Sequence, residues 1–422
     1  MIIEIGNIDL FFPNWMIIVV SFLLSFSLTY IVIPSIIRVS KEKGLFDQPD
    51  PRKSHTLLIP TLGGSAVFIG MIIPTVLYGD LNFEHDLKYI ICCLLILFFI
   101  GIKDDILIIS PRTKLIAEIF AIVIIVILGD MRVTSFHGFL GLKEIPYFVS
   151  IVFTIFMFVV IINGYNLIDG IDGLAAGVGI ITISSFGAWH LLIRDYSYAA
   201  FCFSSIGALL AFFLYNVFGK KNKIFLGDTG SLIIGLIITI FTIRFLESSL
   251  SERVASIYLS APAIAIGILI VPLIDTLRVF TIRIFIGKSP FSPDRFHIHH
   301  QLLSLGFNHL KSTLIILAFN LMIIIISFSL RHLGNIKLVL FIVPLSAVIT
   351  SLPGFFIRYR DRGLLKKLDL LGEKSWIVPN TFTHLVVTRK SHTGKHRKSN
   401  HSEINLSPPV RVEKELESVT DP

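Results

Sequence analysis

Asn163-Gly-Tyr-Asn166-Leu-Ile-Asp169-Gly-Ile-Asp172-Gly173 places two amides and two carboxylates three residues apart, directly after an apolar run. Residues at this spacing share a face when the segment is helical. Four polar groups exceed what one helix cap requires, so the ladder reads as a site rather than an ordinary helix entry. Three more clusters carry chemistry of the same kind: Lys103-Asp104-Asp105, Phe225-Leu-Gly227-Asp228-Thr-Gly230-Ser231, and Asp294-Arg295-Phe-His297-Ile-His299-His300. Adjacent carboxylates repel and become useful when a cation or a proton must be held, although a solvated pair beside Lys103 fits Asp104 and Asp105 equally well. Gly227 and Gly230 let the backbone around Asp228 approach an ion or phosphate at a helix start, where an anion is favoured; a plain turn and cap is the alternative. The histidine spacing is poor for a single zinc and better for hydrogen bonds to phosphate or sugar hydroxyls. Pro51-Arg52-Lys53-Ser54-His55, ahead of Pro60-Thr-Leu-Gly63-Gly64, adds a cationic cluster that topogenic charge would also explain.

The elements that must position these groups are membrane helices. Of 422 residues, 54% are hydrophobic and only 16% charged, with a mean hydropathy of +0.80, whereas a soluble domain carries roughly 25% charge. Apolar runs long enough to cross about 30 Å of hydrocarbon predict an all-α polytopic membrane protein with about eleven transmembrane helices. They fall near residues 16–38, 62–79, 87–102, 113–129, 146–163, 172–193, 197–218, 230–246, 258–282, 312–331 and 336–356. Basic residues gather in the odd connections, among them Arg38, Lys41, Lys43, Lys103, Arg112, Lys114, Lys220, Lys221 and Lys223. The positive-inside rule then sets the N-terminus outside and the C-terminus in the cytoplasm. All four polar clusters fall in connections on that cytoplasmic side. The first apolar run lacks a charged region ahead of it, so no cleavable signal peptide is expected. Cys92, Cys93 and Cys202 read as small buried residues inside spans, and Asp275 with Arg278 as an intramembrane pair that stabilises packing. Residues 1–357 thus form a transmembrane catalytic domain and 358–422 a basic cytoplasmic tail, disordered from about 391.

Together the four motifs resemble the polyprenyl-phosphate N-acetylhexosamine-1-phosphate transferases, over roughly residues 38–310 and in the expected order. The related phospho-N-acetylmuramoyl-pentapeptide transferases of peptidoglycan synthesis are the nearest alternative, but the Asp-Arg-x-His-x-His-His and Arg-Lys-x-His forms are closer to the hexosamine branch. The resemblance implies transfer of an N-acetylhexosamine-1-phosphate, N-acetylglucosamine first, from a UDP-sugar to undecaprenyl phosphate. UMP is released, and lipid-linked glycans such as O-antigen or teichoic acid linkage units begin there. It implies a multi-pass protein of the bacterial inner membrane with its active site on the cytoplasmic face. It assigns Mg2+, with Mn2+ as a substitute, to Asp228 and Asp172, and catalysis to Asp104, Asp105, Asp172, His297, His299 and His300. Arg52, Lys53, His55, Asn163, Asn166, Asp169 and Arg295 are assigned to substrate. A third polar residue often follows the aspartate pair in the family; here that position is Ile108.

The chemistry agrees independently. Joining a lipid phosphate to a nucleotide sugar brings two anions together, so the site needs a divalent cation and basic groups. Mg2+ is the default because it binds through one or two carboxylates together with substrate phosphates and waters. An ion-coupled transporter is the rival from another class, yet transporter sites sit near the bilayer midplane on broken helices, whereas these carboxylates map to helix ends. Membrane lipid is an expected partner, a homodimer is compatible, and no nucleic-acid partner is expected.

Overall fold

The computed structural model describes residues 2–5, 8–11, 13–46, 59–78, 81–107, 109–139, 141–250, 260–287, 296–370, 375–377 and 386–388. It divides into two compact units, Met1–Asp361 and Arg362–Pro422. The first holds α1 (Asn14–Lys43), α2 (Gly63–Tyr78), α3 (Leu81–Leu107), α4 (Pro111–Val123), α5 (Tyr147–Ile168), α6 (Leu174–Leu192), α7 (Tyr196–Phe218) and α8 (Gly227–Ser248). These are followed by α9 (Ala261–Ile268), α10 (Ile270–Phe285), α11 (Ile298–Ser304), α12 (His309–Ser329) and α13 (Asn335–Leu370), the last running on into the second unit. Strands among the described residues are confined to two-stranded antiparallel hairpins, β1 (Ile2–Ile5) with β2 (Ile8–Phe11) and β3 (Ser135–Phe139) with β4 (Leu142–Glu144). The second unit adds β5 (Ser375–Ile377) paired with β6 (Val386–Thr388).

The protein is an all-α polytopic membrane protein. Seven described helices are long and apolar enough to cross a membrane, eight when α9 and α10 count as one broken span. That is fewer than the eleven spans expected: α2, at 16 residues, and α4, at 13, are shorter than a full span, and α3 is not among the seven. The ninth stretch is not one straight helix, because α9 and α10 meet at 75°. Pro272, in the first turn of α10, lacks the N–H that would bond the carbonyl of Ile268, and its ring crowds that carbonyl.

At the centre stands α8, apolar on all sides and buried along almost its whole length. A helix hydrophobic all round belongs inside a bundle, and α2, α3, α5, α6 and α9 surround this one. Small residues set the close approach at its N-terminus. A Cβ on Gly64 of α2 would lie 2.1 Å from the Gly230 nitrogen, and one on Gly101 of α3 would lie 2.4 Å from the Thr229 Cα. Backbone contact of this kind is how membrane helices gain packing energy when lipid is as apolar as leucine. It draws the polar ends of three helices to one point. Cys93 and Cys202 are buried as expected, whereas Cys92 is exposed on the outer face of α3, since neighbouring residues on a helix point in different directions.

Candidate active site

The polar clusters expected in connections lie on the last and first turns of helices. Asp104 and Asp105 occupy the final turn of α3, and Asn163 and Asn166 the final turns of α5. Asp169 caps the C-terminus of α5, Asp172 follows in the turn before α6, and Asp228 opens α8. The ladder is therefore split, with its amides on a helix and its carboxylates beyond the helix end. Hydropathy falls where these groups begin, but their partners across the bundle satisfy them and the backbone ladder continues.

Asp105 turns out to be the cap of α8. One of its oxygens accepts the Asp228 N–H at 2.7 Å, and the other accepts the Thr229 N–H at 3.2 Å and the Thr229 hydroxyl at 2.6 Å. These are N–H groups that a helix start leaves unsatisfied. Gly227 stands at a φ of +72°, in the left-handed region that favours glycine, and brings the chain into that cap. Asp228 accepts from the Asn166 amide at 2.5 Å and pairs with Lys114. The Lys114 ammonium also lies 3.1 Å from Asp104, so it bridges the two carboxylates. One turn further along α4, the buried Glu118 accepts from Asn163 at 2.7 Å. Four helices are thus tied together by one chain of side chains.

Asp172 is held from two other directions. Lys223 donates to it at 2.6 Å and His309 lies at 3.1 Å, while the Thr313 hydroxyl donates to its carbonyl at 2.7 Å. Its second carboxylate oxygen is buried with no hydrogen-bond partner among the described residues. The segment before α2 closes the site on another side. Phe225 N–H donates to Pro60 at 2.8 Å, Gly63 N–H to Phe225 at 2.9 Å and Gly64 N–H to Leu226 at 2.8 Å. The cationic residues Arg52, Lys53 and His55, which precede this segment in the chain, lie outside the described residues, as do Asp294, Arg295 and Ile108.

The histidines occupy the start of α11. His297 is its N-cap, and the His297 and His299 rings are nearly parallel at 5.8 Å between centroids, with His300 4.3 Å from His299. His299 faces the Asp169-Gly170 turn so closely that a Cβ on Gly170 would lie 2.2 Å from its Nε2. The histidine segment and the Asn/Asp ladder, 130 residues apart in the chain by the difference of 299 and 169, are in direct contact. Sequence reasoning missed Lys114, Glu118, Lys223 and His309 as members of the site. Its one available signal was the one-turn spacing of Lys114 and Glu118 on an otherwise apolar helix.

Electrostatics follow from the crowding. Burial, then the charges of Asp228, Asp105 and Asp172, push the Asp169 carboxyl up to about 8. Although the Asp169 side chain keeps some solvent-accessible surface, it is enclosed on most sides. Asp105, in the polar turn past the apolar stretch of α3, is raised by burial to about 7 against its bond from Thr229, with the Asp228 charge adding to the rise. Burial alone would raise Asp172, but His309 and Lys223 hold it below the ordinary carboxylate range. Burial, with His300 and His297 beside it, keeps His299 well below the usual histidine range and therefore neutral at pH 7.

Among the described residues, no three His, Cys, Asp or Glu side chains are grouped closely enough to hold an ion by themselves. The donor chemistry nevertheless fits a hard cation. Carboxylates that raise one another's affinity for protons, and the unpartnered oxygen of Asp172, are oxygen donors left short of positive charge.

The ends of several apolar helices thus gather aspartates, asparagines and lysines next to a histidine segment. The profile of Glycosyl transferase family 4 matches residues 87–246. The undecaprenyl-phosphate alpha-N-acetylglucosaminyl 1-phosphate transferase of Escherichia coli (strain K12) is 31% identical over 286 residues, covering 66% of this chain and 74% of that protein. A Bacillus subtilis (strain 168) protein named as a probable undecaprenyl-phosphate N-acetylglucosaminyl 1-phosphate transferase is 34% identical over 301 residues, 71% of this chain and 81% of its own. The Yersinia pestis enzyme named like that of E. coli is 31% identical over 287 residues, with 66% and 75% covered. The chain belongs to glycosyl transferase family 4.

Proposed function

We propose that this protein transfers an N-acetylhexosamine-1-phosphate, N-acetylglucosamine-1-phosphate first, from a UDP-sugar to undecaprenyl phosphate. The observation that carries the reading is the convergence of Asp104, Asp105, Asn166, Asp169, Asp172 and Asp228 around Lys114 and Lys223 at the ends of separate helices. In the reaction, an oxygen of the lipid phosphate forms a bond to the β-phosphorus of the nucleotide sugar. The bond between that phosphorus and the bridging oxygen breaks, and UMP leaves with the electron pair. A proton still carried by the lipid phosphate passes to a carboxylate, for which Asp104 and Asp105 are the candidates.

Lys114 holds Asp104 and Asp228 at fixed separation and offers a cation to the phosphates. Lys223 and His309 orient Asp172. The histidines hydrogen-bond the sugar or diphosphate, and Arg52, Lys53, His55 and Arg295 complete the positive surface. Mg2+, held through Asp228 and Asp172, would neutralise the diphosphate when bound. The same reading places the N-terminus outside, the C-terminus and the site in the cytoplasm, and the protein in the bacterial inner membrane with up to eleven membrane-crossing segments, and it is compatible with a homodimer. Lipid-linked envelope glycan synthesis begins with this step.

The test is UMP release by the purified enzyme given undecaprenyl phosphate, a panel of UDP-N-acetylhexosamines and Mg2+. Activity is expected to require the divalent cation, and Asp228→Asn is expected to fold but lose Mg2+-dependent turnover. Wild-type enzyme that releases no UMP from any donor, or an Asp228→Asn variant at wild-type rate across a Mg2+ titration, refutes the reaction or the metal assignment respectively.

A further inference from the structure

Asp275 and Arg278, one turn apart on α10, look in sequence like a pair that serves packing. They are paired, at 2.8 Å, and both are almost fully buried. Yet most of their remaining hydrogen-bonding capacity is directed at one place, the entry to α11. Asp275 accepts the Ile298 N–H at 3.0 Å through one oxygen, and its other oxygen lies 2.9 Å from Nδ1 of His297. Arg278 donates to the Phe296 carbonyl at 2.7 Å, and Gln301 donates to the same carbonyl at 2.9 Å. Three consecutive residues of the histidine segment are therefore fixed by two charged side chains of another helix. His297, the N-cap, makes no side-chain cap bond of its own; the acceptor for the α11 start comes from Asp275.

We infer that Asp275 and Arg278 are positioning residues for donor recognition, acting through His297. This rests on the proposed transferase reading. With Arg278 and a backbone N–H already donating to it, Asp275 is a carboxylate, so Nδ1 of His297 must carry the proton it shares. That fixes the tautomer and leaves Nε2 as the lone-pair position, an acceptor for a hydroxyl of the donor sugar. The arrangement follows the general rule that the hydrogen bond at one ring nitrogen decides the state of the other. A pair that served packing alone would gain nothing from the three bonds it makes beyond its own helix. Burying two charges costs as much as their attraction returns.

Asp275→Asn keeps the shape but changes the proton pattern. The amide oxygen can still accept from Arg278 and Ile298, while the amide N–H donates to Nδ1 of His297 and forces the proton to Nε2, turning the acceptor offered to the sugar into a donor. The UDP-sugar KM is expected to rise about tenfold, the loss of one hydrogen bond, with the polyprenyl-phosphate KM unchanged within about twofold. His297→Ala should give the same signature, and the double variant Asp275→Asn/His297→Ala should be no worse than His297→Ala alone. A purely structural role would lower the amount of active enzyme and leave both KM values in place. Arg278→Lys provides a second variant: it keeps the charge but gives up the fixed geometry toward Phe296, so the donor KM should rise and the acceptor KM should not. Unchanged donor KM in both variants, or multiplied effects in the double variant, overturns the inference. Absence of UMP release from the wild type would instead overturn the transferase reading.

Discussion

Gly170 is the point at which the histidine segment rests on the aspartate ladder. A methyl group there would sit 2.2 Å from Nε2 of His299, 2.8 Å from Cε1 and 3.0 Å from Cδ2. Ordinary carbon contacts lie near 3.5 Å, so Gly170→Ala requires the ring and the turn to separate by about 1.3 Å. Gly170 lies outside the left-handed region, and alanine is not strained by its backbone, which leaves sterics as the cause. The ring has little room to yield, because His299 is buried with His297 on one side and His300 4.3 Å away. Overpacking of this size costs about 1–3 kcal/mol of stability. The functional effect should be larger, since a displacement of about 1 Å in a preorganised site can cost on the order of 100-fold in rate.

The assay is UMP release at varied donor and acceptor, alongside thermal unfolding of the detergent-solubilised protein. Gly170→Ala is expected to lower kcat/KM on the order of 100-fold while unfolding remains cooperative. His299→Ala removes the ring that the methyl would strike, so Gly170→Ala/His299→Ala should match His299→Ala within about threefold. If Gly170→Ala keeps wild-type kcat/KM, contact between the two segments is irrelevant to turnover and the histidines do not belong to the site.

Lys114→Met should reduce turnover about 100-fold or more, because Asp104 and Asp228 would face each other without the ammonium between them; rates near wild type would remove Lys114 from the site. Asp105→Asn should cost about 1–2 kcal/mol in unfolding free energy, because an amide cannot accept from Asp228 and Thr229 through both of its polar atoms; an unchanged unfolding midpoint contradicts its capping role. Asp195 caps α7 through the Tyr198 N–H at 3.2 Å and lies 3.2 Å from His190. Burial would raise its carboxyl, but His190, the Tyr198 N–H and Arg244 hold it below the ordinary range. A depressed folded value means stabilisation present at neutral pH and lost as pH falls below about 4. Asp195→Asn should therefore destabilise by about 1 kcal/mol near pH 7 and by less at pH 4, measured by unfolding at both; an equal loss at the two pH values removes the ionised form as the cause.

The Asn163-to-Asp172 ladder and the Gly227-Asp228 turn were legible because their signal is local: polar residues at fixed spacing, and glycines, in a greasy background. Lys114 and Lys223 were not. A lysine at the end of a membrane helix has the same sequence appearance whether it meets lipid headgroups or a buried carboxylate, and only the packing of α4 against α3 and α8 decides. Asp275 and Arg278 were read as partners of each other, which they are, but their bonds to Phe296, His297 and Ile298 depend on a segment 18 to 23 residues away folding back onto α10. Helix ends were drawn too early on α3 and α5, because hydropathy marks where apolar side chains stop and not where backbone hydrogen bonding stops. The break between α9 and α10 had a visible cause in Pro272, set within an otherwise continuous apolar run.

The balance of charge explains why these features occur together. Asp104, Asp105, Asp169, Asp172 and Asp228 stand against two ammonium groups, Lys114 and Lys223, each already engaged with a carboxylate. With Asp169 raised to about 8, part of the excess is held as a bound proton near neutral pH. Under the proposed reaction, a divalent cation held by Asp228 and Asp172 would supply positive charge in place of that proton, and the diphosphate would bring further negative charge. The site must then accept an anion on the side away from its own carboxylates. The neutral ring of His299 lies against the Gly170 turn of the ladder, with His297, anchored by Asp275, nearly parallel beside it. The aspartate ladder and the histidine segment meet at Gly170, and the absence of a side chain there sets the distance between them.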